Sequence, residues 1–264
     1  MKLLTVNVHS WQEENQEEKI EILAKEIAEK DYDVIALQEV SQLKFKEENV
    51  DELKEDNYLV ILSKKLSDLG VTQYTYHWSN SHTGYDIYDE GIAILTKLPV
   101  LEVDGFYCSN STTVNSISSR KILRLCLEYK DKIIETYSCH INLPTATDEN
   151  QLENIQAILD RSDNKNFKIF LGDFNTDAIS RKEDYQAILD LGLIDTYVLA
   201  KDKDSGITVE KSIDGWRNHS EEKRLDYIFL NKKKEVVSSK VIFNGKNKDI
   251  ISDHFGLEVE LKVS

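Results

Sequence analysis

At 264 residues and 40% hydrophobic content the chain is long enough to bury a large core, and with two prolines and no Gly/Ser/Pro-rich linker it offers no boundary, so one domain over residues 1–264 is expected. A net charge of -15, from 33 basic against 48 acidic residues, sets most of the surface against a phosphate backbone and disfavours nucleic acid as a partner. Cys108, Cys126 and Cys139 are widely spaced and contain no C-x-x-C pair, which excludes a disulfide framework and a zinc motif and points to a reducing compartment.

The opening run is apolar until Asn7 and His9 interrupt it, and Glu13, Glu14, Glu17 and Glu18 follow, so it does not read as an export signal. No later stretch approaches membrane-spanning length, and a soluble, cytoplasmic protein with no membrane partner is expected. Residues 3–8 read as a first strand. Residues 14–29 carry Ile20, Leu23 and Ile27 at helical spacing, and residues 33–37 form a buried strand leading to Glu39. The acidic stretch 41–69 reads as helical or irregular.

Residues 91–96, 121–128 and 132–139 are apolar or β-branched runs bounded by turn residues, with a hairpin at Lys130-Asp131. A helix over 149–159 precedes a strand at 167–171, and a second helix over 182–191 follows. Residues 225–230, 236–243 and 256–263 return to strands. Helices separate some strands and hairpins join others, which predicts an α/β fold of mixed sheets stacked face to face with helices outside.

Several strand-like runs end in side chains that hold metals or move protons. Asn7, Glu39, Asp173-Phe174-Asn175 and Asp253-His254 suit one hard-metal site with acid/base groups beside it. Magnesium keeps most of its waters and accepts phosphate oxygens, so Glu39 with Asn7 and Asp253 nearby suffices to hold it. Strand alternation or a tight turn would project Asp173 and Asn175 to one side with Phe174 buried between them. Asp173 then orients or deprotonates a water and Asn175 donates to the developing phosphorane oxygens.

Asp253 and His254 are adjacent, so their side chains diverge, and Asp226 is the candidate to orient His254. His140 ends another strand and offers a second imidazole. Each residue has a plainer alternative: Glu39, Asn175 and Thr176 can cap helices, Asp226 can be a solvated strand end, and His140 can be a hydrogen-bonded structural histidine. Their conjunction favours chemistry.

The ordered set Asn7, Leu37-Gln38-Glu39, Gly91-Ile92-Ala93-Ile94-Leu95, Tyr137 to His140, Gly172-Asp173-Phe174-Asn175, Arg224-Leu225-Asp226-Tyr227 and Ser252-Asp253-His254 resembles the endonuclease/exonuclease/phosphatase superfamily nearly end to end. The resemblance implies a four-layer α/β/β/α sandwich of the deoxyribonuclease I-like kind. It also implies hydrolysis of a phosphoester assisted by magnesium, with manganese as a substitute, and without a covalent intermediate. By the family pattern Asn7, Glu39 and Asp253 stand on the metal side, Asp173 and Asn175 position water and stabilise the transition state, Asp226 orients His254, and His140 contacts the scissile phosphate.

Substrate choice lives in loops. Residues 7–15, 82–91 and 213–216 look like those of a cytoplasmic bacterial branch that includes maltose 6'-phosphate phosphatase, which makes a small sugar phosphate the expected substrate. Trp11, Trp78 and Trp216 are candidates to stack on a sugar ring, and Arg120 or Arg217 to meet the phosphate; the alternatives are tryptophans plugging core edges and a surface-paired Arg120. Glu90, just before a strand, is either an aid to His140 or the metal, or a solvated turn carboxylate. The competing functions are an abasic-site endonuclease or exonuclease, a sphingomyelinase-type phosphodiesterase, and a silent binding module. The last is disfavoured because clustered carboxylates are costly with no cation to balance them.

Overall fold

The computed structural model describes residues 1–44, 53–161, 165–211 and 222–263. The chain runs β1 (Lys2–Asn7), α1 (Gln16–Lys30), β2 (Val34–Leu43), α2 (Tyr58–Asp68), β3 (Thr75–Gly84), β4 (Tyr88–Thr96), β5 (Val100–Tyr107), β6 (Lys121–Tyr129) and β7 (Lys132–His140). It continues through α3 (Gln151–Asp160), β8 (Phe167–Asp173), α4 (Lys182–Asp190), β9 (Ile194–Asp195), α5 (Thr196–Leu199), β10 (Asp202–Lys203), β11 (Asp226–Leu230), β12 (Glu235–Ile242) and β13 (Gly256–Lys262).

The strands form two mixed sheets. One has seven strands in the order β10-β12-β13-β1-β2-β4-β3, the other six in the order β5-β6-β7-β8-β11-β9. Period-two alternation divides their side chains among three apolar layers. Leu3, Val34, Ala36, Ile94 and Val259 of the first sheet meet Leu125, Ile134, Ile169, Leu171 and Ile228 of the second. One residue along, Leu4, Ile35 and Leu37 turn outward onto Ile20, Leu23 and Ile27 of α1 and Leu59 and Leu62 of α2. On the far side Tyr137, Phe170 and Phe229 pack on Ile155 and Ile158 of α3 and Ile188 of α4. Both faces of the central strands are buried, which is why they read as unbroken apolar runs. This is the expected α/β/β/α sandwich.

The predicted elements recur within a few residues. The two-residue hairpin at Lys130-Asp131 has both residues at positive φ, 51° and 59°, the geometry of a type I′ turn whose twist matches its strands. Three expectations need correction. The stretch 41–69 is helical only from Tyr58; before it β2 runs on to Leu43, and 45–52 lie outside the described residues. Glu39 therefore stands inside a strand and not at its end. Strands β3 and β5 were not predicted. Both lie at sheet edges, where β3 buries polar Ser79, Asn80 and Ser81 and β5 leaves Leu101 and Val103 exposed, so neither shows an apolar run.

Register does the rest of the positioning. His140 on β7 pairs with Asp173 on β8, and Asp173 pairs with Asp226 on β11, so the three stand in one row on the face turned toward the other sheet. There, Asn7 pairs with Gln38 in the parallel pairing of β1 and β2. Gly172 makes the close approach in this row possible: its φ is 150°, and an added Cβ would stand 1.9 Å from the Cys139 carbonyl oxygen. Gly172→Ala should lower the unfolding free energy by roughly 3 kcal/mol or more, read as a fall in urea midpoint at unchanged slope.

Candidate active site

The site lies where the matching ends of the two sheets meet. Glu39 reaches it through a bulge: the β2–β4 register breaks between Leu37 and Val40, and Glu39 takes φ 53°. The bulge is held by Ser10, whose Oγ donates to the Glu39 carbonyl at 2.6 Å and accepts from the Ser41 amide at 2.7 Å. An extra residue in one strand turns a side chain that alternation would have sent elsewhere. Asn7 Nδ2 donates to Glu39 Oε1 at 2.8 Å and lies 3.4 Å from Asp173 Oδ2, so the asparagine links the two sheets at the carboxylates. Just beneath, buried Gln38 donates to Ser138 Oγ at 3.1 Å, a second polar tie across the sheets.

Asp173 is 1% exposed and accepts the Asn175 amide on Oδ1 at 2.7 Å. Phe174 is buried between them and Asn175 takes φ 50°, giving the expected turn; the Asn175 Nδ2 donates to the Ile141 carbonyl at 3.0 Å. Asp226 orients His254, with Oδ2 2.9 Å from Nδ1, and the other ring nitrogen lies 3.8 Å from Asp173 Oδ2. Oδ1 of Asp226 is buried with no hydrogen-bond partner among the described residues, which leaves the imidazole as this carboxylate's counterpart.

His140 turns Nδ1 to Arg120 Nη1 at 3.4 Å, while Nε2 stands 3.8 Å from Asp173 and 3.9 Å from Glu39. Facing a guanidinium, Nδ1 is the acceptor, so Nε2 carries the proton. Arg120 is steadied by Nε donating to Asn142 Oδ1 at 3.0 Å.

Enclosure shapes the charge states. Burial pushes the Glu39 carboxyl up to about 8, with the charges of Glu90 and Asp253 adding to it. Burial also lifts Asp173 to about 6, against the pull of His254 and helped by Asp226. His140 is held well below its ordinary value by burial and by the Arg120 cation. Burial opposes charge on His254 too, but Asp226 and Asp173 outweigh it and hold the imidazole well above its ordinary value.

These groups line one cavity of about 600 Å³ with Arg120, Asn175, Asp253 and Glu90. Trp11 and Trp78 are not part of it. Their indole N–H groups donate to the Ser41 and Val40 carbonyls, so both plug the fold and neither offers a face to a sugar. Trp216 and Arg217 lie outside the described residues. Glu90 is neither before its strand nor solvated: it sits inside β4, buried, and pairs with His82 at 3.3 Å instead of His140.

The sequence reading marked residues 7–15 and 82–91 as loops bearing on substrate choice without giving His9, His82 or Tyr85 a place in the site, and it missed Asn115 and Ile117; all five stand on the cavity wall. His9 Nδ1 lies 2.8 Å from Glu13 Oε1 and 3.6 Å from Asp253 Oδ1. Burial disfavours the His9 charge, yet the Glu13 hydrogen bond and Asp253 raise it to about 9. The i,i+4 spacing of His9 and Glu13 was a usable signal. Asn115 and Ile117 had none, because only the fold brings that loop to the cavity.

The model of the Endonuclease/Exonuclease/phosphatase family matches residues 5–254. The chain belongs to this family. An endonuclease/exonuclease/phosphatase family protein from Leptotrichia buccalis C-1013-b is 53% identical, with each chain fully covered and a TM-score of 0.94. A mannosyl-6-phosphatase from Bacteroides thetaiotaomicron VPI-5482 superposes over all of both chains at 18% identity and TM-score 0.72. Truncated Caenorhabditis elegans TDP2 does so over 99% of this chain and 97% of its own, at 16% identity and TM-score 0.67. The last two show the shared fold. A search of curated proteins returned no significant match. Members of the family hydrolyse phosphoester bonds and generally depend on a divalent metal, so a hydrolase is the class to which this site belongs.

The residues fit such a cation. Glu39 and Asp253 offer hard oxygens to one cavity, and the Glu39 carboxyl is driven toward protonation for want of a balancing charge. At the same cavity His9, Glu13 and Asp253 bring ligand atoms within 4.8 Å of one another, as do Asp173, Asp226 and His254. With its carboxyl raised from 4.5 to about 8, Glu39 in the folded chain holds a proton across that window that the unfolded chain has lost. Its contribution to stability therefore falls as pH rises through the window, and a bound cation reverses that loss by displacing the proton. Melting curves with chelator and with millimolar magnesium should show a larger gain in midpoint at pH 8 than at pH 6.

Proposed function

We propose that the chain is a magnesium-dependent phosphomonoesterase of small sugar phosphates such as maltose 6'-phosphate, acting as a single domain in the cytoplasm, with no membrane or nucleic acid as its partner. One observation carries this reading. Arg120, His140, Asp173, Asn175 and His254, the last held from behind by buried Asp226, line one cavity sized for a small molecule, with carboxylates on its walls that repel a polyanion. A mannosyl-6-phosphatase on the same fold supports the substrate class, and the buried free cysteines suit a reducing compartment.

Glu39 and Asp253, with Asn7 beside Glu39, are the residues to hold magnesium or manganese, which supplies charge neutralisation and polarisation of the phosphoryl group. Arg120 gives the phosphoryl oxygens a fixed cation, and neutral His140 donates to them from Nε2. Asn175, whose Nδ2 already donates to the Ile141 carbonyl, offers its remaining Nδ2 hydrogen to the same group. Asp173, steadied by the Asn175 N–H, keeps Oδ2 for the attacking water and takes its proton. His254, fixed by Asp226 and cationic, aims Nε2 at the charge that develops as the phosphorus–oxygen bond breaks, and protonates the departing alkoxide. Attack by water in place of a side chain leaves no covalent enzyme intermediate.

Phosphate should be released from one or more members of a sugar-phosphate panel in the presence of magnesium. Asp173→Ala and His254→Ala should each lower kcat by about 10³-fold, and His254→Ala should also lower the melting midpoint because it strands the buried Asp226 carboxylate, so its kinetics are read below that midpoint. Supercoiled plasmid and abasic-site duplex should remain intact at the same enzyme concentration. Nicking without phosphate release would replace this reading with a nuclease.

A further inference from the structure

Glu90 is a buried carboxylate that the chemistry above does not use. It stands opposite His82 in the β3–β4 register, just past the irregularity between Asn80 and His82, so both side chains are fixed by the sheet. His82 is anchored at both ring nitrogens, with Nδ1 3.2 Å from the Ser119 carbonyl and Nε2 3.3 Å from Glu90 Oε1. Glu90 is 7% exposed, lines the cavity, and has no donor on Oε2 among the described residues. Gly84 keeps that oxygen open: a Cβ added there would lie 2.5 Å from Oε2.

The same wall carries apolar surface. Tyr85, 48% exposed, and Ile117, 69% exposed, both line the cavity, and Tyr85 is positioned by its hydroxyl 3.2 Å from His9 Nε2. Their two loops are tied by the Thr83 amide donating to the Val114 carbonyl at 2.6 Å. The cavity, about 600 Å³, is several times larger than a phosphate group requires.

A buried carboxylate with a free oxygen, in one cavity with a half-exposed aromatic ring, suits a leaving group with hydroxyls on its edge and C–H groups on its face. Two adjacent hydroxyls both donate, and a carboxylate accepts both at once. Tyr85 and Ile117 offer the apolar surface such a C–H face requires. We infer that Glu90, positioned by His82, is the specificity residue of a leaving-group subsite for vicinal diols, so the enzyme selects phosphomonoesters of polyols and sugars over simple alkyl esters. This rests on the phosphomonoesterase reading and names what the cavity holds beyond the phosphate.

The test compares kcat/KM for a hexose 6-phosphate with that for ethyl phosphate. Glu90→Gln should cut this ratio at least about tenfold, chiefly through KM for the sugar ester. Gly84→Ala should move the ratio the same way with the carboxyl group still present, since the three atoms nearest the new methyl all belong to the Glu90 side chain, Oε2 at 2.5 Å, Cβ at 3.3 Å and Cδ at 3.4 Å. Free maltose should inhibit the unsubstituted enzyme competitively and lose potency against Glu90→Gln, while calorimetric magnesium affinity stays within about twofold. A proportional loss on both esters, or a large loss of magnesium affinity, would overturn the subsite and leave the phosphatase reading standing. Absence of phosphate release from every monoester would remove that reading, and with it the subsite if maltose also fails to bind.

Discussion

The apolar layer between the two sheets is the constraint on which everything else depends. Leu3, Ala36 and Ile94 can be buried against Leu125, Ile169 and Leu171 only if the sheets lie face to face, and that stacking brings the end of β1 over the end of β8. Asn7 then reaches Glu39 and Asp173 at once, and Gln38 reaches Ser138. These polar ties are affordable in the interior because each donor has an acceptor. The row His140, Asp173 and Asp226 is a consequence of strand register, and register in turn follows from which face of each strand is apolar.

Carboxylates gathered at one end of the sandwich create an electrostatic problem that the site resolves in different ways. Asp226 is balanced by His254, Glu90 by His82, and Glu13 by His9 and Lys19. Glu39 has the Asn7 amide as its hydrogen-bond donor and an environment that resists its ionisation. Where a fold buries charge without pairing it, a cation is the natural complement. The site thus has an unbalanced carboxylate at Glu39 and a balanced Asp226–His254 pair, the two features on which the proposed roles rest.

The walls of the cavity come from less regular parts of the chain. The β3–β4 hairpin and the loop around Asn115 and Ile117 carry no residue assigned to bond breaking, yet they decide the volume left beside the phosphate. The central strands hold Asp173, Asp226 and His140, while the edge strand β3 and its turn contribute His82, Thr83, Gly84 and Tyr85 to the cavity wall. That division lets a shared sandwich serve different phosphoesters, and it explains why likeness of fold to a mannosyl-6-phosphatase and to TDP2 does not choose between substrates.

Much was legible in the residues alone. The buried strands announce themselves as apolar runs, Lys130-Asp131 as a tight turn, and Asn7, Asp173, Asn175, Asp226 and His254 as polar groups where such runs begin or end. Local pattern suffices there because burial of both strand faces and the chemistry of turns act over a few residues. The structure alone decided that Glu39 enters through a bulge, that Glu90 pairs with His82 and leaves His140 to Arg120, that Trp11 and Trp78 plug the fold, and that Asn115 and Ile117 face the same cavity as His254. Each of these depends on which segments, far apart in the chain, the packing of two sheets brings together, and no short-range periodicity carries that information.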